Sequence, residues 1–240
     1  MDQVDDFFVG MALGVRFRAN FSIEDQMGRI VDEILYSKGS YFNSTIFPQV
    51  RGTIGTKALY NQENQNRIQI DNSNIILDIN FDDNISFSKS QAPQILKKFE
   101  EQIVRGIMTE FKIREIVRIG YLKRYLYKIE DLASTFVDKT IGNTLGGIND
   151  INLSFSKKYT TADGLVLQTI DDYDNAIFNV IKKADLKEIF MAIDYQRYFN
   201  PFLASAADLK MTSFIERAES FNTGSYLDWL NKNYLESVNA

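Results

Sequence analysis

A chain of 240 residues that is 45% hydrophobic and 25% charged has the composition of a globular protein with one large core, and its net charge of -5 gives no global attraction to nucleic acid. It contains neither cysteine nor histidine. Disulfides, thiolate chemistry, imidazole general bases and the commonest transition-metal ligand are thereby excluded, so any catalysis would rest on Asp, Glu, Lys, Arg, Tyr, Ser or Thr.

The elements begin with a strand. From Phe7 to Phe17 the chain alternates, with Phe7, Val9, Met11, Leu13, Val15 and Phe17 on one side. A helix follows, its stripe formed by Ile23, Met27, Ile30, Val31, Ile34 and Leu35. "SIED" reads as its capping box, with Ser22 at the cap and Asp25 three residues on. Alternating runs near 48–60, 66–71 and 74–81 predict three strands, the last two joined by the polar turn "DNSN". A helix is predicted from about Ser90 to Met108, with Pro93 in its first turn and Ile95, Leu96, Phe99, Ile103 and Ile107 facing inward.

The second half runs the same course. A strand over about 113–127 leads to a helix carrying Ile129, Ala133, Phe136, Val137 and Ile141. Strands are predicted near 150–159, 175–182 and 188–196, then a helix from about 206 with a break at "FNTG", Phe221 to Gly224, before "SYLDWLNKNYLESV". The halves also echo each other in detail. "GVRFRANFSIEDQMGRIVDEIL" (14–35) aligns without a gap on "GYLKRYLYKIEDLASTFVDKTI" (120–141), with identities that include Gly14/Gly120, Arg18/Arg124, Asp25/Asp131 and Asp32/Asp138. "NIILDINF" and "EIFMAIDY" correspond as well.

Each half therefore reads β-α-β-β-β-α. The expected fold class is α+β: one compact domain over 1–240 made of two pseudo-repeats, 1–111 and 112–240, sharing one mostly antiparallel sheet with helices on one face. By analogy of architecture this is the duplicated saddle of the TATA-binding proteins, which licenses no function. Three prolines and the absence of a Gly/Ser linker argue against tethered domains. No stretch approaches the ~20 apolar residues of a membrane span. The N-terminal "MDQVDDFFVG" is acidic where a secretory signal is basic. A cytoplasmic protein with no membrane association is expected.

At "IVRIGYLKRYLY", Ile116 to Tyr127, and "AIDYQRYF", Ala192 to Phe199, the chain resembles a sporadically distributed family of uncharacterised prokaryotic proteins of roughly this length. Members carry a motif like V-x-R-[IL]-G-x-R-Y-[IL], matched here by Arg118, Gly120, Arg124 and Tyr125 with two extra residues before Arg124, and an [IL]-D-[IL]-D-like strand, matched by Ile193 and Asp194. The resemblance implies no activity.

Strand periodicity supplies a binding hypothesis. The apolar residues of both leading strands are odd, whereas Arg16, Arg18, Arg114, Arg118 and Arg124 are even and would share the helix-free face as a cationic ridge. Lys97 to Lys128 holds nine basic and four acidic residues. Arginine on a sheet with tyrosine nearby suits phosphate, carboxylate or nucleic acid; the plainer account is a solvated face paired with neighbours such as Glu115. A second patch, Tyr195, Arg197, Tyr198 and Phe199, is either core or an exposed partner surface.

Catalytic and metal sites are expected to be absent. Glu110 and Lys112 form an E-x-K triplet, with Asp78 on an earlier strand, as in metal-dependent nucleases, but no P-D pair precedes the triplet. "NFDDN" (80–84) and "TIDDYDN" (169–175) lack the full ligand set of a calcium loop, and "KTIGNTLGGIND" (139–150) lacks a phosphate-loop pattern. The leading expectation is a non-enzymatic binding or adaptor protein without a cofactor, engaging a protein partner, with a homo-oligomer open. Nucleic-acid or anion binding through the arginine face is the alternative, and a metal-dependent nuclease a distant third.

Overall fold

β1 (Phe8–Phe17) forms where alternation predicts it: Met11, Leu13, Val15 and Phe17 are buried and Arg16 between them is exposed. The structure, a computed structural model, describes residues 7–81, 86–128, 151–163, 167, 171–182 and 188–221. α1 (Ser22–Tyr36) buries the six residues of its predicted stripe and carries Glu24 and Asp25 in its first turn, where they offset the positive end of the helix dipole. Its start differs from the expected capping box. Ser22 is already helical, and the Asn20 side-chain oxygen accepts from the Ser22 backbone N–H (3.1 Å) and hydroxyl (2.7 Å). The Ser22 hydroxyl is thus spent as a donor to Asn20, an Asx-type turn that precedes the helix in place of the capping box.

The run expected as one strand near 48–60 is a hairpin of β2 (Gln49–Gly52) and β3 (Thr56–Tyr60), with Val50 opposite Leu59. Gly52 has φ +121°, a conformation that glycine alone adopts freely, at the point where the chain begins to reverse. β4 (Arg67–Asp71) and β5 (Asn74–Asn80) follow. The first half thus holds five strands where four are expected.

α2 (Ala92–Lys98) opens with Pro93 in its first turn and continues as ten residues of π-helix, Phe99–Met108. The sequence predicts the helix and its inward residues; the wider winding is not written in that pattern. β6 (Arg114–Lys128), β7 (Ile151–Tyr159), β8 (Tyr173–Lys182) and β9 (Glu188–Ser205) complete the strands, and α3 (Met211–Phe221) begins after a short turn at Ala206–Asp208. β9 therefore runs well past 196 and displaces the start of the last helix. The helix expected over 129–141 and the piece beyond "FNTG" lie outside the described residues.

The nine strands form one sheet in the order β2-β3-β4-β5-β1-β6-β9-β8-β7, with every neighbouring pair antiparallel. With three helices among the described residues, the fold is α+β. One core runs beneath those helices from Ile68 and Ile70 on β4, through Leu13 and Tyr121 at the centre, to Phe178 on β8. No described helix packs on the other face. At the centre β1 meets β6 with Gly14 opposite Gly120 and Arg16 opposite Arg118. The ladder slips between Arg118 and Ile116, which leaves Val117 unpaired, and Glu115 beside it takes φ +54°.

Candidate anion-binding face

Alternation along each strand and antiparallel register across them decide which side chains meet on the helix-free face. One cross-strand row contains Asn74 (β5), Arg16 (β1), Arg118 (β6), Tyr198 (β9) and Tyr173 (β8), each directly opposite the next. The tyrosine rings lie parallel, 9° apart with centroids at 4.8 Å. The Arg118 guanidinium sits 5.5 Å from the Tyr198 centroid, and the Lys158 ammonium of β7 closes the far side at 3.8 Å from Tyr173. Four strands thus contribute a cation–ring–ring–cation stack. Both outer ring faces are covered by a cation, worth about 0.5–1 kcal/mol each at an exposed site.

Arg118 is held in place. Its Nη1 donates to Gln196 Oε1 (3.2 Å) and to the Tyr198 hydroxyl oxygen (3.1 Å), while that hydroxyl donates to Gln196 Oε1 (2.7 Å). Arg16, opposite it, is exposed and has no ion-pair partner among the described residues. Like charges directly opposite across two strands disfavour folding. An anion bound between them would reverse that sign.

Asp194, two rows away on the same face beyond Gln196, accepts a hydrogen bond from Gln196. Burial raises its pKa above the usual carboxylate value and outweighs the Gln196 bond and the attraction of Arg118. A carboxyl whose pKa is raised by folding favours the native state below its unfolded pKa, and that contribution is lost as pH rises through the folded pKa. Once ionised, Asp194 opposes folding. Asp194→Asn is therefore expected to raise the urea midpoint at neutral pH and to leave it unchanged at about pH 3. An unchanged midpoint at neutral pH would contradict this.

The predicted ridge is only partly assembled. Arg16, Arg118 and Arg124 share the helix-free face. Arg124 lies across β1, donating to Asp78 Oδ1 (2.6 Å) and to the Ile79 carbonyl (2.9 Å), and Arg67 reaches Asp78 Oδ2 at 3.1 Å. Arg18 follows the end of β1 and pairs with Glu115 at 3.3 Å. Arg114 is exposed at the start of β6, before the unpaired Val117, where alternation no longer dictates its side. The patch Tyr195, Arg197, Tyr198 and Phe199 is divided by the same alternation. Tyr195, Arg197 and Phe199 are buried beneath the helices, and Tyr198 alone is on the helix-free face.

Beneath α3, Arg197 grips Asp174 through Nε (2.6 Å) and Nη2 (2.8 Å), and the Tyr195 hydroxyl donates to Asp174 Oδ2 at 2.6 Å. Burial and the adjacent Asp174 carboxylate push the Tyr195 hydroxyl far above its usual pKa, which keeps it a neutral donor.

The residues weighed for nuclease chemistry do not meet: Asp78 is engaged on the helix-free face, whereas Glu110 is 3.9 Å from Arg29 of α1 on the helical side. Among the described residues no three Asp or Glu side chains gather as a metal site, and no helix is long and apolar enough to cross a membrane. In "TIDDYDN", Asp172 accepts from the Asn200 backbone N–H (2.9 Å) and Asp174 is the buried partner of Arg197. Residues 82–85 and the glycine-bearing 139–150 lie outside the described residues.

Tyr173, Lys158, Gln196 and Asp194 are the contributors that the sequence reading missed. Extending strand parity from β1 and β6 to β8 and β9 places Tyr173 and Tyr198 on one face; the register that stacks them is set between the strands and not within either one. No protein-family model matches the chain, and no curated protein matches it either.

Proposed function

We propose that the chain is a non-enzymatic binding protein whose helix-free sheet face holds the phosphates of a nucleic-acid strand. The observation that carries this reading is the pairing of Arg16 with Arg118 in register, the first without a carboxylate partner and the second fixed by Gln196 and Tyr198. A guanidinium preset by its neighbours offers a forked donor to phosphate with little ordering cost. Lys158, beyond the tyrosines, extends the cationic row towards β7. Because Arg118 and Lys158 cover the outer tyrosine faces, bases have no free ring to stack on, and contact with the backbone would not select sequence.

The site also fits an origin by duplication. In an antiparallel pair of copied strands, equivalent residues meet at the local twofold axis, and Gly14 opposite Gly120 is the aligned pair of the echo. The two leading strands then bring their even-numbered arginines together at the seam.

The test is fluorescence anisotropy with labelled single-stranded oligonucleotides of mixed sequence, over a range of salt. The Arg16→Ala, Arg118→Ala double variant is expected to bind at least tenfold more weakly at roughly 50 mM salt, with the slope of log K against log salt shallower by about 1.4. An affinity equal to that of the wild type overturns the reading. A protein partner is the second reading, favoured by Phe21 (68% exposed) and Ile54 (83% exposed) at the end of the sheet where Gly55 approaches Glu24. It requires Ile54→Asp to abolish complex formation while oligonucleotide binding is unchanged.

A further inference from the structure

On the helical side, α2 with its π-helical continuation and α3 stand apart and leave a groove of about 820 Å³, within the ~300–1,000 Å³ common for small-molecule sites. Polar ties hold this opening. Glu100 Oε2 accepts from the Thr212 hydroxyl of α3 at 2.8 Å, and Glu100 Oε1 accepts from Arg105 at 2.8 and 3.2 Å. Residues five apart on an α-helix point about 140° away from one another. The π-helical winding of 99–108 brings Glu100 and Arg105 to the same side.

The wall is apolar, formed by Phe8, Ala92, Pro93, Leu96 and Ile215. Lys123 enters from β6 with its side chain 8% exposed. Its ammonium donates to Glu219 Oε2 at 2.9 Å and lies 4.7 Å from the Phe8 centroid. An ammonium carries three donors, so donors remain for a ligand beyond the one given to Glu219.

The charged side chains lining the groove are equal in number, Lys89, Lys97, Arg105 and Lys123 against Glu100, Glu101, Glu216 and Glu219. Lys123 is matched by Glu219, Arg105 by Glu100, and at the rim Glu101 takes Lys97 (3.8 Å) and Lys98 (2.7 Å). The Tyr121 hydroxyl holds the second oxygen of Glu219 at 2.6 Å. An ionic ligand would lose its hydration without gaining an unmatched counter-charge. A neutral molecule would not.

We infer that this groove binds an uncharged amphiphile, with its apolar body against Phe8, Pro93, Leu96 and Ile215 and a hydroxyl or carbonyl oxygen accepting from Lys123. The site is separate from the sheet face and does not depend on it.

Nile red, a neutral apolar dye, tests the assignment on the full chain. Saturable, blue-shifted emission with one site per chain is expected. Decanol should displace the dye at concentrations at least tenfold lower than decanoate or decylammonium. Ala92→Phe, which fills the groove, should weaken dye binding at least tenfold while circular dichroism and oligonucleotide binding stay as in the wild type. Ile215→Trp on the opposite wall provides the same reading if Ala92→Phe fails to fold. Absence of saturable uptake by the wild type overturns the proposal. So does displacement by the charged amphiphiles as effective as by decanol, or full dye affinity in a folded, filled variant.

Discussion

Asp174→Ala is expected to destabilise the protein by about 3–5 kcal/mol and to lower its melting temperature by roughly 6–20 °C, measured by circular dichroism. Asp174 is fully buried and the Arg197 side chain is 8% exposed, so removing the carboxylate strands a guanidinium under α3 with no water to receive it. The Tyr195 hydroxyl loses its acceptor in the same step. The Phe214 ring, 5.8 Å from the Arg197 guanidinium, cannot replace a two-pronged carboxylate. The loss should belong to the orphaned charge and not to the pair as such, because replacing a buried ion pair by apolar residues of similar volume is often neutral or favourable. Asp174→Leu with Arg197→Met should therefore recover most of the stability. A single variant that melts with the wild type would show that losing the carboxylate does not strand the Arg197 guanidinium.

Gly10→Ala should cost about 2–5 kcal/mol. A β-carbon at Gly10 would fall 2.6 Å from Arg124 Nη2 and 2.8 Å from the Ile79 carbonyl oxygen. The guanidinium can swing away, but the carbonyl belongs to the β5 backbone and moves only with the strand. Arg124 crosses β1 over this glycine to reach Asp78, so the substitution blocks the bridge that ties β6 to β5. Gly14→Ala meets only the flexible Ile76 Cγ1 at 3.2 Å and should cost less, and Gly120→Ala, with its nearest neighbour at 3.6 Å, should be tolerated. Urea denaturation of the three variants checks the order; equal midpoints would contradict it.

The elements that the sequence makes plain are those whose facing is set within the element. Alternation from Met11 to Phe17 and the stripe from Ile23 to Leu35 each follow from one side being buried and match the structure, whereas at the start of β1 a register shift between Phe8 and Gly10 buries Phe8 in place of the expected Phe7 and Val9. The β2–β3 hairpin was hidden because Val50, Ile54 and Ala58 hold one alternation phase through the turn, although Val50 is paired with Leu59, which has the opposite phase. The candidate site was legible to the same extent. Parity places Arg16, Arg118 and Arg124 on one face but fails at Arg114, where an unpaired residue shifts the phase. It is silent on Tyr173 and Lys158, which join the row only through the registers of β8 with β9 and β7 with β8. Nor does composition reveal that Asp78 neutralises Arg124, since those residues stand on strands separated by β1, and the bridge between them crosses over Gly10.

The β1–β6 seam has a consequence for how the molecule is assembled. β2 to β5 form successive hairpins, and β7, β8 and β9 do likewise, so each flank of the sheet can zip from local turns. Gly14 and Gly120 are distant in the chain, and the entropy of closing that long loop is spent before any contact rewards it. The two flanks are thus expected to gain hydrogen-exchange protection early in refolding and β1 and β6 together at the end, with the arginine row completed only as the seam closes.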